Sequence, residues 1–171
     1  MNNCFAAVAV GLALVAMQAT PIAQSTIPKE ANATMHASGP FEVKVTSQDD
    51  KSGDAPFARM ALDKHYHGEL EATAVGLMLS AGAPQKGAAG YVAMEKVTGT
   101  LHGKTGSFVL QHNGIMKPGA LQLSVTVVPE SGTGQLEGIA GTMSIKVAPD
   151  GKHTYELDYT LPTQSQSIDG K

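Results

Sequence analysis

The segment from Gly90 to Gly114 joins two runs of alternating apolar and polar residues through a glycine-containing turn, which is typical of a β-hairpin. Side chains two residues apart lie on the same face of a strand. The more apolar face of this hairpin carries Tyr91, Ala93, Glu95, Val97, Phe108, Leu110 and His112. Because the apolar face of a strand turns toward the core, the pattern predicts that a carboxylate and an imidazole point inward.

The register of the hairpin depends on where its turn lies. A two-residue turn at Gly103 and Lys104 would place Glu95 opposite His112. Moving the turn by one residue at both ends would instead place Val97 opposite His112. Either register keeps Glu95 and His112 together, because paired residues share a face of the sheet.

A carboxylate that faces the core is costly to bury unless it is paired or hydrogen-bonded. The partners we expect for Glu95 are His112, Tyr91 and a cation from another strand, for which the first choice is Arg59, the only arginine in the chain. Gln111 has the opposite parity from His112, so it could join this group only through a bulge. These five residues form the predicted ligand-binding set.

The residue types allow three interpretations of Glu95 and His112. They could be a catalytic general acid/base pair, because burial raises a carboxyl pKa and a nearby cation lowers it. They could be the polar anchor of a ligand cavity. They could also form a buried network that fixes the strand register without any chemistry. The sequence alone leaves all three open.

The same alternation recurs from Thr34 to Pro162, interrupted by Gly, Pro, Asn or Asp and without a helical period. It predicts an all-β domain over residues 34–162, with the polar residues 163–171 as a flexible tail. Because closure removes exposed strand edges, we expect a single closed antiparallel β-barrel of about eight strands. The predicted strands cover residues 34–47, 58–79 with an interruption, 90–101, 107–112, 120–128, 134–147 and 153–161.

Residues 1–23 are predicted to be a signal peptide, because the apolar run Phe5–Met17 is too short for a membrane span. Residues 24–33 would then be an N-terminal tether, and the domain would be exported to the periplasm or the exterior of a bacterium. The only cysteine, Cys4, lies in the signal peptide, so the mature domain would lack disulfides. A net charge of −3 favours neither nucleic-acid binding nor membrane association after cleavage.

A second cluster contains His65 and His67, followed by Glu71, at a spacing that resembles the first metal-binding motif of cupins. The second cupin motif is absent from the chain. The neighbouring positions of opposite parity are apolar, which predicts that the two histidines face solvent. We therefore expect neither a metal nor another cofactor.

Several segments together resemble the bacterial family catalogued as domain of unknown function 3224. They are FEVKV (41–45), RMALDK (59–64), GELE (68–71), the hairpin of residues 90–114, VVPESGTGQLEGIAG (127–141) and HTYELDYTLP (153–162). The resemblance implies a small closed β-barrel of the allene-oxide-cyclase-like type, without an assigned activity. Barrels of that type elsewhere include cyclases and dirigent proteins. The family lacks histidines at the positions of His65 and His67, and the signal peptide is an addition to it.

Taken together, these patterns predict an exported barrel that binds a small, largely apolar molecule in its lumen, with Glu95, His112 and Tyr91 as the polar anchor. One alternative is an isomerase or cyclase that uses Glu95 and His112 to move protons. Another is a structural domain without a ligand. The sequence decides neither whether a reaction is catalysed nor whether the chain forms a homo-oligomer.

Overall fold

The computed structural model describes residues 32–48 and 57–162. The predicted signal peptide, the predicted tail and nearly all of the predicted tether lie outside these ranges. The described chain forms nine strands and one 3-10 helix at Pro84–Lys86. The strands are β1 (Met35–Ser47), β2 (Ala58–Tyr66), β3 (Leu70–Ala83), β4 (Ala88–Leu101), β5 (Lys104–Lys117), β6 (Ala120–Val127), β7 (Thr133–Gly134), β8 (Ala140–Val147) and β9 (His153–Thr160).

Eight strands close into an antiparallel β-barrel in the order β1, β2, β3, β4, β5, β6, β8 and β9, with β9 pairing back onto β1. The short strand β7 adds to this ring by pairing with β5. The predicted all-β fold, a single closed antiparallel barrel, is therefore confirmed. None of the helical structure in the described ranges is long and apolar enough to cross a membrane.

The barrel interior has two ends. At the closed end, the connection from β6 to β8 lies beneath the strands. At the open end, β1, β3, β5 and β8 finish and β2, β4, β6 and β9 begin. The fully buried apolar side chains of the closed end include Leu70, Leu101, Phe108, Leu136 and Ile139.

The closed end corrects one predicted strand. The alternation predicts a strand over residues 134–147, but β8 begins only at Ala140. Leu136 and Ile139 precede it in the connection, and each is 1% exposed. Burial of these two large side chains beneath the barrel compensates for the backbone pairing that residues 135–139 would have made as part of a strand.

The β4–β5 hairpin forms as predicted, but its turn lies one residue earlier, at residues 102–103. Glu95 consequently pairs with Leu110, and His112 pairs with Ala93. Both predicted registers are therefore wrong. The shared face is retained, since the shift preserves the parity of both strands.

The turn residues explain the shifted register. His102 and Gly103 have φ angles of 46° and 76°, as a two-residue hairpin turn with positive φ at both positions requires. Glycine adopts this conformation readily, whereas histidine is less usual there. Two tertiary contacts hold His102 in place. Its Nδ1 lies 2.7 Å from the Tyr159 hydroxyl, and its Nε2 lies 3.3 Å from the Glu69 carboxylate.

The pairing between β6 and β8 is much shorter than the other pairings of the ring. Only Val125 with Met143 and Thr126 with Thr142 join these two strands. Toward the open end their remaining residues form a seam in the wall of the barrel. The inward side chains beside the seam are Leu121, Leu123, Ile145 and Val147.

Candidate functional site

Four polar side chains, which we call the polar cluster, lie inside the barrel. Lys64 and Tyr66 come from β2, Glu95 from β4 and His112 from β5. Each is at most 5% exposed. All four occupy inward positions of their strands, where they are shielded from bulk water.

A glycine lets Glu95 reach β2 across the intervening strand β3. Gly76 of β3 pairs with Leu62 of β2 on one side and with Glu95 of β4 on the other. A Cβ atom at Gly76 would lie 2.8 Å from the Cβ of Glu95 and 2.5 Å from the carbonyl oxygen of Met94. Because both distances are too short for a real side chain, the cluster depends on glycine at this position.

The carboxylate of Glu95 is the centre of the polar cluster. The Tyr66 hydroxyl donates a 2.8 Å hydrogen bond to Oε1. Lys64 Nζ lies 2.8 Å from Oε2, and His112 Nε2 lies 3.2 Å from Oε1. These two separations are short enough for ion pairs, but neither contact has hydrogen-bond alignment. Lys64 also donates a 3.3 Å hydrogen bond to the Tyr66 hydroxyl. Charge, more than directed hydrogen bonding, therefore compensates the buried carboxylate.

Burial and charge act in opposite directions on the pKa of Glu95. Burial raises this pKa, whereas the contacts with His112 and Lys64 lower it, and the result is a pKa of about 2. Burial, together with the charge of Glu95, raises the pKa of Tyr66 well above its usual range. The same two causes raise the pKa of Tyr91. Near neutral pH the site thus holds an ionised carboxylate and two neutral phenols.

Between the polar cluster and the open end, the lumen contains a cavity of about 350 Å³. Lys64 and His112 form part of its wall, together with Tyr91 and His153. Glu95 lies behind this wall, with 0% of its side chain exposed. The rest of the wall is apolar and consists of Phe41, Val43, Leu62, Met78, Ala93, Leu121, Leu123, Ile145 and Val147.

The structure brings three of the five predicted ligand-binding residues together. Tyr91 and His112 line the cavity, and Glu95 contacts His112 from behind it. Arg59 and Gln111 are exposed on the outer surface, so their predicted place beside Glu95 is wrong. The inward residues of β2 are the even-numbered ones, so Arg59 points outward. The pairing of β5 with β4 continues through Gln111 without a bulge, so the side chain of Gln111 also points outward.

Lys64 supplies the cation that the sequence interpretation assigned to Arg59. The signal for it was present in the sequence, because Lys64 shares its parity with Leu62 and Tyr66, two residues of the apolar face of β2. A lysine flanked in this way by core residues must pair with a buried acid. No pattern in the sequence indicates that Gly76 makes room for Glu95, since this role depends on which strands become neighbours.

The cupin-like residues lie on the outside of the barrel. His65 and His67 are exposed, as is Glu71. His67 contacts Glu71 at 3.1 Å and Glu42 at 3.0 Å. Within residues 32–48 and 57–162, no group of three His, Cys, Asp or Glu side chains is arranged to hold a metal ion.

Comparisons with known proteins find a family and a related structure. The profile described as "Protein of unknown function (DUF3224)" matches residues 37–159. The chain is similar to the crystal structure of a protein of unknown function from the DUF3224 family of Shewanella oneidensis MR-1. The two share 47% sequence identity with a TM-score of 0.69, and the match covers 77% of this chain and 100% of the other. No curated protein matches the chain.

Proposed function

This chain belongs to the DUF3224 family, as its sequence resemblance predicts, and since that family has no assigned activity we propose a function from the site itself. The barrel binds a small, largely apolar molecule in its lumen. The observation that carries this proposal is the cavity of about 350 Å³ at the open end, with mostly apolar walls and a few convergent polar groups. Ligand sites in proteins commonly have about 300–1,000 Å³ and this kind of lining.

The polar cluster favours a ligand with one uncharged polar group. Lys64 already has Glu95 as its counter-ion, which makes it a poorer partner for an ionic ligand than for a neutral acceptor. An ammonium group has three N–H donors, and that of Lys64 contacts Tyr66 and Glu95 while also reaching the cavity wall. A carbonyl or hydroxyl oxygen of a ligand could accept from Lys64 or His112 while its apolar part contacts the walls.

The acid/base alternative has weaker support from the same geometry. A general base must come within hydrogen-bond reach of the substrate, whereas Glu95 lies behind the cavity wall. A carboxylate with a pKa of about 2 is also a weak base near neutral pH. His112 remains at the wall and could orient a ligand. Binding is therefore the function that this site supports best.

A fluorescent probe can test binding in the lumen. N-phenyl-1-naphthylamine is neutral and apolar, and its fluorescence rises when it leaves water. We expect saturable binding to the wild type and an affinity at least about tenfold lower for Leu123→Trp, whose larger side chain fills the cavity. The matched control is Gln122→Trp, since its neighbouring position faces outward and should leave binding unchanged.

Two results would count against lumen binding. One is the absence of saturable binding to the wild type. The other is equal affinity for Leu123→Trp and Gln122→Trp, which would place the probe on the outer surface. Circular dichroism spectra of both variants would show whether the fold is retained.

We also propose that the domain acts outside the cytoplasm. The support is the uncharged start of the chain and the apolar run Phe5–Met17, which lie outside the described residues. N-terminal sequencing of the protein from fractions of its native host would test this. Cleavage after Ala19 or Ala23 in an exported fraction supports export, and an intact N-terminus in the cytoplasmic fraction contradicts it.

A further inference from the structure

The outer surface of β3, β4 and β5 breaks the pattern of a solvent-facing strand. Outward positions there carry large apolar side chains that are between 41% and 64% exposed. We call this set the outer patch; it consists of Val75, Leu77, Leu79, Val92, Met94 and Ile115. An exposed cluster of this kind marks an interaction surface more often than an isolated exposed residue does.

Strand register makes the outer patch continuous. Leu77 pairs with Met94, and Leu79 pairs with Val92, so four large side chains form one block across β3 and β4. Val75 extends the block along β3 toward the closed end. A depression of about 810 Å³ lies among the four side chains of this block and neighbouring residues.

The opposite side of the barrel shows that the outer patch is local. On β8 and β9 the outward positions are polar throughout their middle sections. They carry Thr142, Ser144, Lys146, Thr154, Glu156 and Asp158. The same barrel therefore has one outer face that suits water and one that suits contact with another apolar surface.

Polar residues surround the outer patch with both signs of charge. Arg59 and Asp63 lie beside it on β2, Lys96 on β4, and Gln111 and Asn113 on β5. An apolar centre with a polar rim is the usual anatomy of a protein interface. A rim of mixed charge also lets a second copy approach without a strong net repulsion.

We propose that the outer patch is the interface of a two-fold symmetric homodimer. In such a dimer the same patch contacts itself, so an apolar centre is its own best partner. Strand spacings of about 4.8 Å and rises of about 3.4 Å per residue give a patch of roughly 15 by 20 Å. A stable interface needs about 800 Å² per partner, so the rim must supply the remaining area. We therefore expect a reversible dimer with an interface at the small end of the specific range.

Sedimentation velocity across a concentration series tests this interface on the protein as its native host produces it. We expect a reversible monomer–dimer equilibrium for the wild type. Leu77→Lys combined with Met94→Lys should weaken the dimer at least about tenfold, because it places charges in the apolar centre. The matched control is Thr142→Lys with Ser144→Lys, which adds the same charges to the polar face and should leave the equilibrium unchanged.

Several outcomes would overturn the dimer. A wild type that stays monomeric at every concentration would by itself contradict the dimer. A dimer of equal strength in the Leu77→Lys, Met94→Lys protein would show that another face is used. A trimer or larger species would contradict two-fold pairing. Circular dichroism of the variants checks that a loss of dimer does not reflect a loss of fold.

Discussion

The two ends of the barrel interior are built from the same eight strands, yet they differ in packing. At the closed end Leu136 and Ile139 are each 1% exposed. At the open end Leu121 and Val147 are 55% and 58% exposed, although both line the lumen. One end is thus a packed core, and the other is the wall of a cavity.

Two connections within the described residues contribute to this difference. The connection from β6 to β8 is long enough to place two large apolar side chains beneath the closed end. At the open end, the β5–β6 connection consists of Pro118 and Gly119, which offer no large side chain for the lumen. Alternation within strands therefore specifies the barrel, while these two connections differ in how much apolar side chain they place inside it.

The largest effect is expected at the polar cluster, which lies where the packed core meets the cavity. Glu95→Gln would leave Lys64 buried without its counter-ion, so the free energy of unfolding should fall by about 3–5 kcal/mol. Urea denaturation measures this change. The double variant Lys64→Met, Glu95→Gln is the matched control and should recover part of the loss. A double variant less stable than Glu95→Gln would contradict the ion pair.

Leucine truncations compare the two ends directly. Leu136→Ala at the closed end should lower the free energy of unfolding by about 2–5 kcal/mol, because it leaves a cavity in a packed core. Leu123→Ala at the open end should cost only about 1 kcal/mol, since Leu123 is partly exposed and already borders a cavity. Equal losses in urea denaturation would mean that the two ends are packed alike.

The pH dependence of stability should report on Glu95. Its pKa is about 2 in the folded protein against 4.5 ordinarily, so its contribution is fully present above about pH 4.5 and is lost as the pH falls toward 2. That contribution is on the order of 3 kcal/mol. Urea denaturation between these pH values measures it. The Lys64→Met, Glu95→Gln protein should lose less stability over the same range, and an identical loss would exclude Glu95 as the cause.

A smaller effect is expected at Gly76, which gives Glu95 its path to β2. Gly76→Ala should destabilise the barrel by about 1–3 kcal/mol through crowding against Glu95. The matched control is Gly90→Ala, where an added Cβ would meet the tip of Ile115 at 3.4 Å and the carbonyl oxygen of Gly114 at 4.0 Å, both ordinary contacts. Thermal unfolding compares the two variants. Equal stability of the two variants would show that Glu95 does not need a glycine at position 76 to reach β2.

Much of the fold could be predicted from the sequence because it depends on local alternation. The inward face of Glu95 and His112 follows from parity and survives the shift of the turn at His102. That shift could not be foreseen, since His102 is held by Tyr159 and Glu69, which are distant in sequence. Contacts between distant strands can be predicted only once the neighbours of each strand are known.

The candidate site was predicted in part for the same reason. Tyr91 and His112 lie at the cavity wall because the hairpin alone fixes their face. The cation was assigned to Arg59 instead of Lys64, although parity along β2 favours Lys64. The size of the cavity was beyond prediction, because its lining comes from all eight strands of the ring and depends on how they pack together.

Native mass spectrometry of the protein purified from its own host tests most directly whether the lumen binds a small molecule. We expect the wild type and Gln122→Trp to carry a non-covalent small-molecule adduct, and Leu123→Trp to have lost it. Adduct-free wild-type protein, or an adduct that persists in Leu123→Trp, would contradict binding in the lumen.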